Sequence, residues 1–92
     1  MSRIVVSLVE AYVFRKAEDG LRFLLLKRIV TIHYGGLWQG VAGHIKTGEK
    51  AWETTLRELQ EETGLLPRNM FVVDHLSRFY DPHTDCVNLI PV

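Results

Sequence analysis

The sequence predicts an α+β fold built as one domain, residues 1–92. Three observations carry this. Two extended runs rich in Val, Ile and Leu flank a polar turn ending in glycine. A single helical segment with a distinct stop follows. Two further extended runs come after it, giving the order β-β-(short β)-α-β-β.

Ile4 to Phe14 reads as a strand, rich in β-branched residues and containing Tyr12. Lys16-Ala17-Glu18-Asp19-Gly20 is a polar turn whose last residue tolerates positive φ. Leu21 to Lys27 is the second strand, and the two make a β-hairpin. The run Leu24-Leu25-Leu26 predicts a strand covered on both faces. Val30 to Gly36 reads as a loop. Leu37 to Ala42 is a short extended stretch containing Trp38, and Gly43 to Glu49 is a second loop.

Lys50 to Thr63 is the helix. Thr47 or Glu49 suits its start, where an acidic residue complements the helix dipole. Gly64 stands where a left-handed residue closes a helix, Leu65 follows as its apolar partner, and Pro67 blocks continuation. Trp52, Leu56 and Leu59 form the apolar stripe. Phe71 to Tyr80 and Asp85 to Val92 read as the last two strands. The chain ends inside the apolar run Leu89-Ile90-Pro91-Val92. We therefore expect a partial domain, or one that finishes its sheet with another chain. Unpaired apolar strands at 71–80 and 85–92 predict a homodimer or larger species.

Eleven basic and eleven acidic residues cancel. That argues against a nucleic-acid duplex as partner, which would need a basic face, but it allows a small phosphorylated ligand. The lone cysteine, Cys86, rules out an internal disulfide and reads as a small half-covered strand residue. Met1-Ser2-Arg3-Ile4 lacks a signal-peptide layout, and no apolar run is long enough to span a bilayer. A cytoplasmic location is expected.

The chemistry lies in Arg57-Glu58-Leu59-Gln60-Glu61-Glu62. At 100° per residue, Glu58, Glu61 and Glu62 fall within an arc of about 100°, away from the apolar stripe. Three carboxylates so close repel one another, and a cation between them removes the repulsion. Mg²⁺ takes oxygen ligands and commonly combines one or two carboxylates with substrate phosphates. A merely solvated acidic face is the competing reading. The surroundings of the helix weigh against it: a glycine loop leads in, and Gly64 ends it.

The nine positions Gly43, Glu49, Arg57, Glu58, Leu59, Glu61, Glu62, Gly64 and Leu65, over 23 residues, resemble a complete Nudix box. The lead-in Leu24 to Arg28 and Trp38 before the box are similar to the family's usual approach. The resemblance implies an α/β/α sandwich with a mixed sheet and one loop-helix-loop motif. It also implies hydrolysis of a diphosphate linkage in a nucleoside triphosphate, or in a nucleoside diphosphate joined to another group. The cofactor implied is Mg²⁺ or Mn²⁺. Carried over, Glu58 and Glu62 are the main metal ligands, with Glu61 and the Gly43 carbonyl assisting. Arg57 and Glu49 pair and hold the carboxylates. The catalytic set is then Glu58, Glu61, Arg57 and Glu49.

Leu37-Trp38-Gln39-Gly40-Val41-Ala42-Gly43 looks like the lead-in of the dihydroneopterin triphosphate pyrophosphatase branch, which makes a pterin triphosphate one expected substrate. Trp38 can stack on a flat heterocycle, or serve as a core aromatic beside the loop. Arg28 can meet a phosphate, or simply end an edge strand on the surface. His44 can contact a phosphate, or be a solvated loop histidine. The rival function is a truncated or inert module that binds a ligand or partner without turnover.

Overall fold

The computed structural model describes residues 1–27 and 36–92. Arg28, expected at a phosphate, and the loop read over 30–36, apart from Gly36, lie outside the described residues. The elements run β1 Arg3–Val5, β2 Leu8–Ala11, β3 Val13–Ala17, β4 Gly20–Leu24, β5 Leu26–Lys27, β6 Trp38–Gln39 and β7 Val41–His44. Helix α1, Ala51–Thr63, follows, and then β8 Leu76–Asp81 and β9 Cys86–Pro91. The α+β class stands.

The hairpin is β3 against β4, antiparallel, with Ala17 opposite Gly20. Gly20 has φ 128°, which favours glycine over other residues. Each long strand read from the sequence is interrupted. Ile4 to Phe14 is three strands, and Leu21 to Lys27 is two with a break at Leu25. The breaks arise because the partners change. Past the hairpin β2 pairs with β7, while β5 pairs with β6. Leu25 is 47% exposed, so the run Leu24 to Leu26 is not covered on both faces.

β9 is the middle of a mixed three-stranded sheet, parallel to β1 and antiparallel to β8. The last two strands are therefore paired with each other, not unpaired as expected. The run from Phe71 enters its strand only at Leu76. The turn between β8 and β9 is held by Asp81, whose carboxylate accepts the His83 N–H at 2.9 Å and the Thr84 hydroxyl at 3.0 Å.

The helix packs on β7 and β2, and β2 also meets β9. The core sits at this junction: Val9, Val41, Leu59, Cys86 and Ile90 are buried, with Thr54 fully covered. Cys86 is thus more buried than expected. Trp52 is 50% exposed, so the helix buries Leu59 and not a continuous Trp52-Leu56-Leu59 stripe. Lys50, not Thr47 or Glu49, precedes the first turn. Its N–H donates to the Glu53 carboxylate at 2.9 Å, one arm of a capping box. At the other end Gly64 adopts φ 73° and its N–H donates to the Gln60 carbonyl at 2.9 Å, the left-handed closure expected.

Candidate active site

The site forms where β7 runs beneath α1. Gly43 and His44 belong to β7 rather than to a loop. Pairing with β2, Val9 opposite Gly43, fixes their position. A Cβ on Gly43 would overlap Cγ and Cδ of Glu58. The absent side chain is what lets the strand approach the helix's acidic face.

The loop after β7 folds around Glu49. The Glu49 N–H donates to the Lys46 carbonyl at 3.0 Å, and Lys46 returns its own N–H to Glu49 Oε1 at 3.0 Å. Arg57 grips the same carboxylate with two prongs, Nε to Oε2 at 2.7 Å and Nη2 to Oε1 at 3.0 Å. The pair is largely covered, with side chains 21% and 19% exposed. Bidentate geometry in a covered setting makes this a stronger tie than a surface ion pair. Thr54 adds a fourth donor to Glu49, Oγ1 to Oε1 at 2.8 Å. The Arg57 hydrogen bonds first, and the Lys46 N–H next, hold the Glu49 carboxyl down at about 2. The same bonds from Glu49 raise Arg57 further above its ordinary value.

The rest of the guanidinium reaches the acidic face. Arg57 Nη1 donates to Glu58 Oε1 at 2.8 Å and to Glu61 Oε2 at 3.2 Å, and Nη2 donates to the His44 carbonyl at 3.0 Å. Glu62 receives no such donation. Partial burial of its carboxyl, and then the charges of Glu58 and Glu61, push it above the ordinary carboxylate value. One lattice therefore joins Glu49, Arg57, Glu58 and Glu61, and Glu62 touches it through the Glu58 carboxyl rather than through Arg57.

Gly43, His44, Glu58 and Glu62 line one groove of about 780 Å³, together with Lys27, Lys46 and Arg57. Among the described residues, no three His, Cys, Asp or Glu side chains already converge as a metal cage; Glu58 and Glu61 are turned onto Arg57 instead. The donor set nonetheless suits a hard cation. Mg²⁺ needs only one or two carboxylates when substrate phosphates and water complete its shell. Glu58 and Glu62, one helix turn apart and both lining the groove, are the carboxylates that could supply such oxygens.

Of the residues expected at substrate, His44 lines this groove through an exposed side chain. Trp38 is 63% exposed and does not fill the core; Lys27 Nζ lies 5.7 Å from its ring centroid. Three participants escaped the sequence reading. Lys27 and Lys46 stand in the groove, and Thr54 supports Glu49. Lys46 had a legible signal, a cation three residues before Glu49. A threonine inside a helix offers none.

A profile of the NUDIX domain matches residues 6–89. The bis(5'-nucleosyl)-tetraphosphatase of Rattus norvegicus is 40% identical over 58 residues, covering 63% of this chain and 37% of the rat protein. The enzyme of the same name from Caenorhabditis elegans is 28% identical over 80 residues, 85% of this chain and 56% of the other. The chain thus spans between 37% and 56% of these relatives. The crystal structure of C. elegans Ap4A hydrolase superposes with a TM-score of 0.60 at 19% identity, covering 99% of this chain and 67% of that one. That likeness is one of fold. With the box complete and the profile spanning nearly all of its length, the chain belongs to the Nudix family.

Proposed function

We propose that the groove hydrolyses a phosphoric anhydride bond in a nucleoside polyphosphate, with Mg²⁺ or Mn²⁺ as cofactor. The observation that carries this is the meeting of Gly43, Glu58 and Glu62 with Lys27 and Lys46 in one groove. Carboxylates for a cation and ammonium groups for phosphate oxygens stand side by side there.

Glu58 and Glu62 would hold the cation, with Glu61 and the Gly43 carbonyl in support. A divalent ion bound there supplies charge for the phosphoryl oxygens and acidifies water. The protein's own groups do the rest. Lys27 and Lys46 orient and neutralise the phosphate chain, and His44 helps to position it. Arg57, locked by Glu49, keeps Glu58 and Glu61 from drifting. A carboxylate at the groove would accept the proton of the attacking water as its oxygen bonds to phosphorus. The P–O bridge breaks, and the released phosphate or nucleotide carries away the electron pair.

The names of the relatives favour a dinucleoside polyphosphate as substrate over a pterin triphosphate. The test is chromatography of products from diadenosine tetraphosphate, ATP and dihydroneopterin triphosphate, with and without Mg²⁺. We expect cleavage of the nucleotides that needs the metal and drops at least 100-fold in Glu58→Gln and Glu62→Gln. Full activity in both variants would refute the assignment. Saturable binding without cleavage would favour the inert module instead.

The proposed location is the cytosol, supported by a single free, buried cysteine; no helix among the described residues is long and apolar enough to cross a membrane. A homodimer is proposed on the strength of β8, which among the described residues has a neighbour on one side alone. A monomer in sedimentation at micromolar concentration overturns that.

A further inference from the structure

A second, smaller cavity of about 250 Å³ adjoins the groove, sharing Gln39 and Ala42 with it. Its walls include Glu10, Tyr12, Leu25 and Trp38. Its origin is topological. β2 gives way to β3 at Tyr12, β4 to β5 at Leu25, and β6 to β7 at Gly40. All three breaks line this cavity, so it opens where the hairpin splays to admit the strand pair leading into the box. At this volume it suits a single ring system rather than a drug-sized ligand.

Its chemistry is specific. Tyr12 lies against Gly40, so near that a Cβ there would come within 3.0 Å of the ring. Trp38, 63% exposed, lines the cavity, and Lys27 Nζ lies over its ring, 5.7 Å from the centroid. Between aromatic and apolar walls stands one carboxylate. Ser77 Oγ donates to Glu10 Oε2 at 3.0 Å, and among the described residues Oε1 has no donor. This oxygen is open to solvent and free to accept an N–H from a bound ligand.

We propose that this cavity takes the heterocyclic end of the substrate, and that Glu10 selects an aminopurine by accepting a hydrogen bond from its exocyclic amine. Tyr12 and Trp38 supply the stacking surface. The shared wall at Gln39 and Ala42 then sets the phosphate chain running from the base toward Lys27, Lys46 and the acidic helix face. The inference rests on the groove's being the hydrolytic site, since that gives the base its direction.

The test is quenching of Trp38 fluorescence in a Trp52→Phe background, by titration with adenosine and with purine riboside, which lacks the amine. Adenosine should quench and bind about tenfold more tightly, the worth of a hydrogen bond to a charged acceptor. Glu10→Ala should erase the difference. Equal affinity for the two nucleosides in the unaltered pocket overturns the proposal, even if Glu10→Ala fails to fold. So does a difference that survives in a folded Glu10→Ala. Glu58→Gln should leave quenching intact while hydrolysis falls. Quenching by adenosine in a chain that cleaves no nucleotide would refute the hydrolytic reading and leave the pocket standing. Cleavage without quenching would refute the pocket and leave the hydrolytic reading.

Discussion

Gly43 and Glu58 contend for the same space: the position a Cβ would take on the strand is already filled by the glutamate's side chain, with Oε1 2.7 Å away. Glu58 is a flexible side chain, so Gly43→Ala need not unfold the protein. It must swing Glu58 aside and break the 2.8 Å bond from Arg57 Nη1. We expect a stability loss of about 1 kcal/mol from overpacking. Activity should fall much further, by about 100-fold, because a displaced reacting group is costly. Urea denaturation and kcat, measured on one preparation, check the split. A loss of stability with unchanged kcat would mean that Glu58 does not act where it stands.

Thr54 is fully buried and its hydroxyl donates to Glu49 at 2.8 Å. It touches nothing that reacts, so it acts through Glu49 and Arg57. Thr54→Val keeps the shape and removes the donor, at a cost of about 1.5 kcal/mol for a bond to a charged acceptor. Thr54→Ser keeps the donor and loses a methyl group, at a cost of about 1 kcal/mol. Stability therefore hardly separates the two variants. Turnover should: Ser retains kcat, and Val lowers it several-fold with KM little changed. Equal kcat in the two variants would assign Thr54 to packing alone.

Glu49 predicts a pH signature. Its carboxyl is held at about 2, against an ordinary 4.5, first by Arg57 and then by the Lys46 N–H. The folded value lies below the unfolded one, so ionised Glu49 stabilises the fold fully above about pH 4.5. That contribution is lost as pH falls from there towards 2. Glu49→Gln should thus be less stable than the parent at pH 7, and the gap should close between pH 5 and 2. Asp81 and Asp85 also titrate low, but they are common to both chains and cancel in the comparison. Urea midpoints through that range read the gap directly, and a gap independent of pH refutes the account.

What could be read from the sequence was local. The helix and its stop follow from Gly64, Pro67 and the spacing of three glutamates, all within one short segment. The Arg57–Glu49 tie spans eight residues and came from the family pattern. The breaks at Tyr12, Leu25 and Gly40 were not legible, because they depend on which distant strand each run pairs with. Nor was the exposure of Trp52. A 3.6-residue period marks an apolar side of a helix, but not how far the sheet beneath it extends. The second cavity is a product of those same breaks, so nothing in the local sequence around Glu10 marks it.

Gly64 separates backbone strain from packing with unusual clarity. Its φ of 73° lies in the left-handed region, yet a Cβ there would meet nothing within 4 Å. Gly64→Ala therefore introduces no clash, only an unfavourable backbone, worth about 1 kcal/mol. Asn tolerates that region better, so Gly64→Asn should cost less than Ala. The helix end is the point at risk: the Gly64 N–H to Gln60 carbonyl bond, 2.9 Å, closes the turn that contains Glu61 and Glu62. If that closure steadies the acidic face, metal affinity should weaken in the same order, Gly, then Asn, then Ala. Denaturation midpoints and Mn²⁺ titration by electron spin resonance test both orders. Ala matching Gly in stability would show that the left-handed turn relaxes freely in solution.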